Sequence, residues 1–116
     1  MPPREWRLRI EDMLDAIGAI EEFVAGMDFE AFRNDRKTVD AVVRNLEVIG
    51  EAARYVPEDV REEYEAVPWK DIIGIRSVLI HEYFGVDYDI LWATIKTNLP
   101  TLTPLLKSML EEGAKD

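Results

Sequence analysis

A chain of 116 residues is long enough for one domain with one core and too short for two. With 47% hydrophobic and 33% charged residues it sits among sequences that fold, and the absence of cysteine excludes disulfides, thiolate zinc sites and a cysteine nucleophile. A formal net charge of −10 argues against a protein that coats nucleic acid non-specifically, though one local basic pocket or a basic protein partner stays compatible with it.

The opening Met1-Pro2-Pro3-Arg4-Glu5-Trp6 has no apolar signal core, and charge interrupts every longer apolar stretch before it could span a bilayer, so a cytoplasmic protein is expected. Trp6, Ile10, Met13, Ile17, Ile20, Val24 and Met27 then recur at steps of three and four, which predicts a long amphipathic helix. Gly26 and the stretch 28–36 interrupt it, with Phe29 and Phe32 expected to fold back over the core as a short turn.

A second stripe, Val39, Val42, Leu46, Ile49, Ala53 and Val56, predicts another helix with Thr38 as N-cap and Pro57 as terminator. Its small residues Gly50, Ala52 and Ala53 fit a tight helix crossing. Residues 57–67 are mostly charged and fit a short surface helix. Pro68 and Trp69 open a third main helix, expected to run through Ile72, Ile75 and Leu79 to Phe84.

Gly85 stands at a helix C-cap position and Asp87 at the N-cap of a last helix carrying Leu91, Ile95, Leu99, Leu102, Leu106 and Met109, with a kink expected at Pro100. No run alternates with period two and none reads as a hairpin. The sum is an all-α single domain spanning 1–116: an up-and-down four-helix bundle with a short extra helix or turn, whose first and last stripes are broad enough for a partner helix and so for a homodimer.

The one histidine, His81, follows Arg76 by five residues and precedes Tyr83 by two. At the C-terminal end of a helix the dipole would favour its imidazolium, a state suited to general acid–base work near neutral pH. Along a straight helix at ~100° per residue, Arg76 and Tyr83 share a face, while His81 lies roughly 140° from Arg76. Convergence therefore needs a distorted last turn or a cleft between two protomers. Arginine plus histidine suits RNA cleavage by the 2′-hydroxyl, which needs no external nucleophile and no metal. Spacing alone leaves equally open a structural role, with Arg76 paired to a surface carboxylate, His81 capping carbonyls and Tyr83 packed with its hydroxyl outward.

Arg76-x4-His81-x-Tyr83 resembles the arginine-histidine-tyrosine motif of HepT toxins, and its surroundings resemble them too: Ile49-Gly50-Glu51-Ala52-Ala53, Val67-Pro68-Trp69, Val86-Asp87 and Leu91-Trp92. The resemblance covers nearly the whole chain. It implies a HEPN four-helix fold, a homodimer with its cleft between protomers, and metal-independent endoribonuclease activity on tRNA or mRNA carried by Arg76 and His81. It further implies a type VII toxin–antitoxin pair, in which a MntA-type nucleotidyltransferase uses ATP to attach AMP to Tyr83, placing phosphate where it repels RNA. Relatives often follow the motif arginine with asparagine; Ser77 stands here, a possible support residue of shorter reach that puts catalytic strength in question. Ser77 and the acidic balance leave a rival: a non-catalytic interaction or nucleotide-binding module working with a nucleotidyltransferase.

Other groups give weaker signals. Glu11, Asp12, Asp15, Glu21 and Glu22 read as a solvated face, because a bundle metal site wants more histidine than one. Lys70, Arg76, Arg54 and Arg44 could meet phosphate but are not assigned to RNA, and Trp69 and Trp92 read as core or interface anchors. No glycine-rich phosphate loop occurs, so no cofactor is expected.

Overall fold

The structure, a computed structural model, describes residues 3–75, 77, 80–81 and 85–115. Helix α1 (Pro3–Val24) leads to a single-turn α2 (Phe29–Arg33), the long α3 (Arg36–Arg54), a surface helix α4 (Glu58–Glu63) and a short α5 (Trp69–Ile73). Two-residue strands β1 (Ile80–His81) and β2 (Gly85–Val86) follow. Helix α6 (Tyr88–Ala93) then runs through a π-helical turn, Thr94–Asn98, into α7 (Leu99–Lys115). Among the described residues no helix is long and apolar enough to cross a membrane.

The stripe expected on α1 is the buried one: Ile10, Met13, Ile17, Ile20 and Val24 face inward against Val39, Val42, Leu46 and Ile49 of α3. Arg7 Nη1 donates to the Leu110 carbonyl at 3.0 Å, tying α1 to α7. Met27 N–H donates to Val24 O at 2.9 Å past Gly26, whose φ of 79° lies in the left-handed region where a Cβ would be strained. The turn expected around Phe29 and Phe32 is helical, and it buries Phe32 completely with its ring 5.1 Å from that of Trp92.

Helix α3 starts earlier than its sequence suggests. Its N-cap is Asp35, whose carboxylate accepts from Thr38 N–H at 3.2 Å, so Thr38 is the capped position and not the cap. That hydrogen bond holds the Asp35 carboxyl below its ordinary 3.8, with the Thr38 hydroxyl and nearby Lys37 acting in the same sense. The small residues of α3 do serve a close crossing. A Cβ on Gly50 would lie 3.0 Å from the Ile72 carbonyl oxygen and 3.4 Å from Ile75 Cγ2, so α5 rests directly on the α3 backbone.

The expected third helix does not reach Phe84. It ends at Ile73, where Gly74 caps it and donates its N–H to Lys70 O at 3.0 Å. Ile75 and Ser77 are helical again, but Ile80 and His81 pair antiparallel with Val86 and Gly85, a ladder too short to leave an alternating pattern in sequence. β-Branched Ile72, Ile73 and Ile75 weaken continuation of the helix beyond glycine. Gly85 is left-handed (φ 78°) as expected of it, and it lies within this ladder.

Asp87 caps α6 as expected, accepting from Ile90 N–H at 3.1 Å. Pro100 lacks the N–H that would continue the ladder of hydrogen bonds, and just before it the helix widens so that Leu99 N–H donates to Thr94 O. Hydroxyls of Thr101 and Thr103 donate to the Thr97 and Leu99 carbonyls at 3.0 and 3.1 Å, and α7 also tolerates a second internal proline, Pro104.

Three variants test these assignments. Gly50→Val should lower stability by roughly 1–3 kcal/mol through overpacking against α5, whereas Gly18→Ala, with nothing within 4 Å of the new methyl, should raise it by roughly 0.5–1 kcal/mol in chemical denaturation. Because the folded-state pKa of Asp35 is depressed, its contribution is present above 3.8 and lost as pH falls through the folded value. Asp35→Ala should therefore lower the urea midpoint at pH 7, and the gap to the parent should close below about pH 3.8.

Candidate functional site

Three elements leave a cleft of about 580 Å³ on the side of α3 that faces away from the core. Helix α3 contributes Arg44, Glu47, Glu51, Arg54 and Tyr55, spaced so that they share one face. From α1 come Arg9 and Asp12, and the segment following α5 supplies Ile75 and Ser77. Gly50 belongs to the cleft lining as well, so the bare backbone that seats α5 also helps shape the cleft.

The charge of the lining differs from that of the chain. Among the described residues of the lining, three arginines (9, 44, 54) face three carboxylates (Asp12, Glu47, Glu51), a balance of zero in a chain carrying −10. Arg54 Nη1 lies 3.7 Å from Glu51 Oε2, but both side chains are more than half exposed, so the pair contributes at most about 1 kcal/mol. Arg9 places its guanidinium 5.1 Å from the centroid of the Tyr55 ring, and Tyr55, the C-cap of α3, remains 53% exposed. Among the described residues neither Arg9 nor Arg44 takes part in an ion pair.

The site residues expected from sequence are placed unevenly. Ser77 is exposed, lines the cleft and donates its N–H to Gly74 O at 3.1 Å. His81 belongs to β1, its backbone paired with Gly85, and so lies in a strand and not within the long helix expected there. Arg76 and Tyr83 lie outside the described residues. Of the other cations considered, Arg44 and Arg54 meet in the cleft, while Lys70 lines a separate groove with Trp69 and Arg61. Trp69 is buried, its indole N–H donating to Tyr64 O at 3.0 Å, and partly buried Trp92 packs on Phe29 and Phe32, so both anchor the interior.

A family model described as ribonuclease HepT-like matches residues 13–109. The chain belongs to that family. Its HepT-like relatives share most of their length with it. A Methanocaldococcus jannaschii protein provisionally named an RNase is 40% identical over 102 residues, covering 88% of this chain and 94% of that protein. A Caldanaerobacter subterraneus subsp. tengcongensis protein of similar name is 44% identical over 103 residues, 89% and 92% of the two chains. One from Thermococcus cleftensis, provisionally named ribonuclease HepT, is 45% identical over 93 residues, 80% and 84% of the two. No solved structure matches the chain.

Arg9 and Tyr55 went unread in the sequence of this HepT-like chain. Each sits on the polar side of its own helix, and only the packing of α1 on α3 brings them together. The exposure of Ser77 makes it a clean probe: Ser77→Ala should shift the unfolding free energy by less than about 0.5 kcal/mol, so any functional effect would be local.

Proposed function

We propose that this HepT-like chain is a metal-independent endoribonuclease, active as a homodimer, with Arg76 and His81 as its catalytic residues. The observation that carries this reading is the near-full-length match to proteins named as ribonucleases, with Arg76-x4-His81-x-Tyr83 intact. In the reaction a ribose 2′-oxygen forms a bond to the adjacent phosphorus as the bond to the 5′-oxygen breaks. The 2′-hydroxyl proton passes to a neutral His81 imidazole, and the leaving oxygen gains one from an imidazolium. Two copies of His81, one per protomer, can fill both roles across a shared cleft. Arg76 offsets the charge growing on the equatorial phosphate oxygens. An internal nucleophile removes the need for a metal-bound water. Ser77, on the cleft beside Arg76 in sequence, can hydrogen-bond a phosphate oxygen.

The same reading makes Tyr83 the control point of a type VII toxin–antitoxin pair. A MntA-type nucleotidyltransferase would direct the phenolic oxygen of Tyr83 at the α-phosphorus of ATP, forming a tyrosine–AMP phosphodiester as pyrophosphate leaves and the phenol loses its proton. The added anion beside Arg76 and His81 then repels an RNA phosphate. The substrate is tRNA or mRNA, in the cytoplasm with the ATP-using partner. A four-helix HEPN arrangement, completed by a second protomer, is the matching architecture.

The test is cleavage of total cellular RNA by the purified, unmodified protein in chelator. Arg76→Ala and His81→Ala, shown by sedimentation to keep the parent's oligomeric state, should each lose about 10²- to 10⁴-fold in rate. A folded parent that cleaves no RNA would replace this reading with a non-catalytic binding module.

A further inference from the structure

The cleft combines features that the motif chemistry leaves unused. Tyr55 presents an aromatic ring that stays half exposed at the end of α3. Beside it, Arg9 from α1 lies over the ring, and Arg44 and Arg54 lie on the same face of α3. Structural demands do not explain this set. The Tyr55 side chain is not among the buried residues of the core, the Arg54–Glu51 contact is exposed and weak, and Arg9 and Arg44 bind no carboxylate among the described residues.

A half-exposed aromatic ring flanked by Arg9 and Arg44, neither of them in an ion pair among the described residues, suits an unstacked nucleobase and its phosphates. Base–aromatic stacking tolerates any sequence because every base has a π-face, and guanidinium can add to the stack while binding phosphate. At about 580 Å³ the cleft admits a nucleotide. Duplex RNA keeps its bases stacked inside the helix, so a ring at this place selects single strands. Ser77, adjoining Arg76 in sequence, lines the same cleft, which would put this subsite next to the scissile phosphate. The carboxylates Asp12, Glu47 and Glu51 limit phosphate attraction, leaving stacking as the larger share of affinity.

We infer that the α1–α3 cleft is a single-stranded RNA subsite, in which Tyr55 stacks a base flanking the cleavage site and Arg9 and Arg44 hold its phosphates. The inference rests on the ribonuclease reading for its substrate and on the proposed role of Arg76 for its place beside the cleavage site; the binding of a single strand at Tyr55 stands without either Arg76 or His81.

Binding of a fluorescent, unstructured oligoribonucleotide is measured by anisotropy in a His81→Ala background, so that the probe stays intact. Tyr55→Ala and Tyr55→Leu should each weaken Kd by about 5- to 100-fold, while Tyr55→Phe should bind within about twofold of the background protein. Arg9→Gln and Arg44→Gln should each flatten the slope of log K against log salt by about 0.7. A perfectly paired duplex of the same sequence should bind at least about tenfold more weakly. Because Tyr55 is exposed, all three of its variants should keep the parent's circular dichroism, and Tyr55→Leu covers the same apolar surface without a π-face. Unchanged Kd in both Tyr55→Ala and Tyr55→Leu, or equal affinity for the duplex, overturns the subsite even if the parent cleaves RNA. Conversely, Tyr55-dependent single-strand binding by a parent that cleaves nothing supports the subsite and removes the ribonuclease reading.

Discussion

The contact on which this fold turns is the seat of α5 on the bare backbone at Gly50. Helix α3 serves two neighbours: Val42, Leu46 and Ile49 face the stripe of α1, and Gly50 receives the Ile72 carbonyl. A side chain at that point would push α5 outward by a few tenths of an ångström or more, and with it Ile75 and Ser77. The glycine gives up helix propensity at an interior position, and the close approach of two backbones offsets that loss through dispersion contacts no larger residue could permit. Core, crossing and cleft wall thus share one helix and are mechanically linked.

The C-terminal helix solves a different problem. Two prolines in one helical stretch remove two donors, yet α7 retains its buried face, with Leu102, Leu106 and Met109 in the core. The π-helical turn ahead of Pro100 takes up the mismatch, and threonine hydroxyls bond carbonyls in the same region. Thr94, buried within that turn, donates its hydroxyl to Ile90 O at 2.8 Å, so its own donor is not left unpaired. Register is kept because the irregularity lies between the two apolar stretches it connects.

Where local rules suffice, the sequence could be read. The stripe on α1, the burial of Phe32, the surface helix before Val67, the small-residue crossing and the Asp87 cap all follow from spacing or from capping chemistry within a few residues. Competition between two good caps hid the start of α3, since Asp35 and Thr38 both suit the position and only Asp35 stands outside the helix with non-helical backbone. The helix expected to run to Phe84 was drawn from apolar spacing alone, which does not register the capping power of Gly74 or a two-residue ladder. The candidate site was legible only in part. Ser77 could be placed beside the motif arginine, but the company of Arg9, Arg44 and Tyr55 depends on how α1 lies against α3, a relation between residues about 35 to 45 apart in the chain.

The neutral cleft on an acidic body carries a further consequence for encounter. Any polyanion approaching this protein meets like charge over most directions, and that field reaches about 8 Å outward at physiological ionic strength. At the cleft the repulsion is relieved, because among its described residues three guanidinium groups balance three carboxylates. Such a charge distribution discourages the sliding and loose adsorption typical of basic proteins and orients an approaching polyanion toward the balanced cleft. Added salt, which ordinarily loosens such complexes, would here also lower the barrier to approach, so that arrival and residence respond to ionic strength in opposite directions.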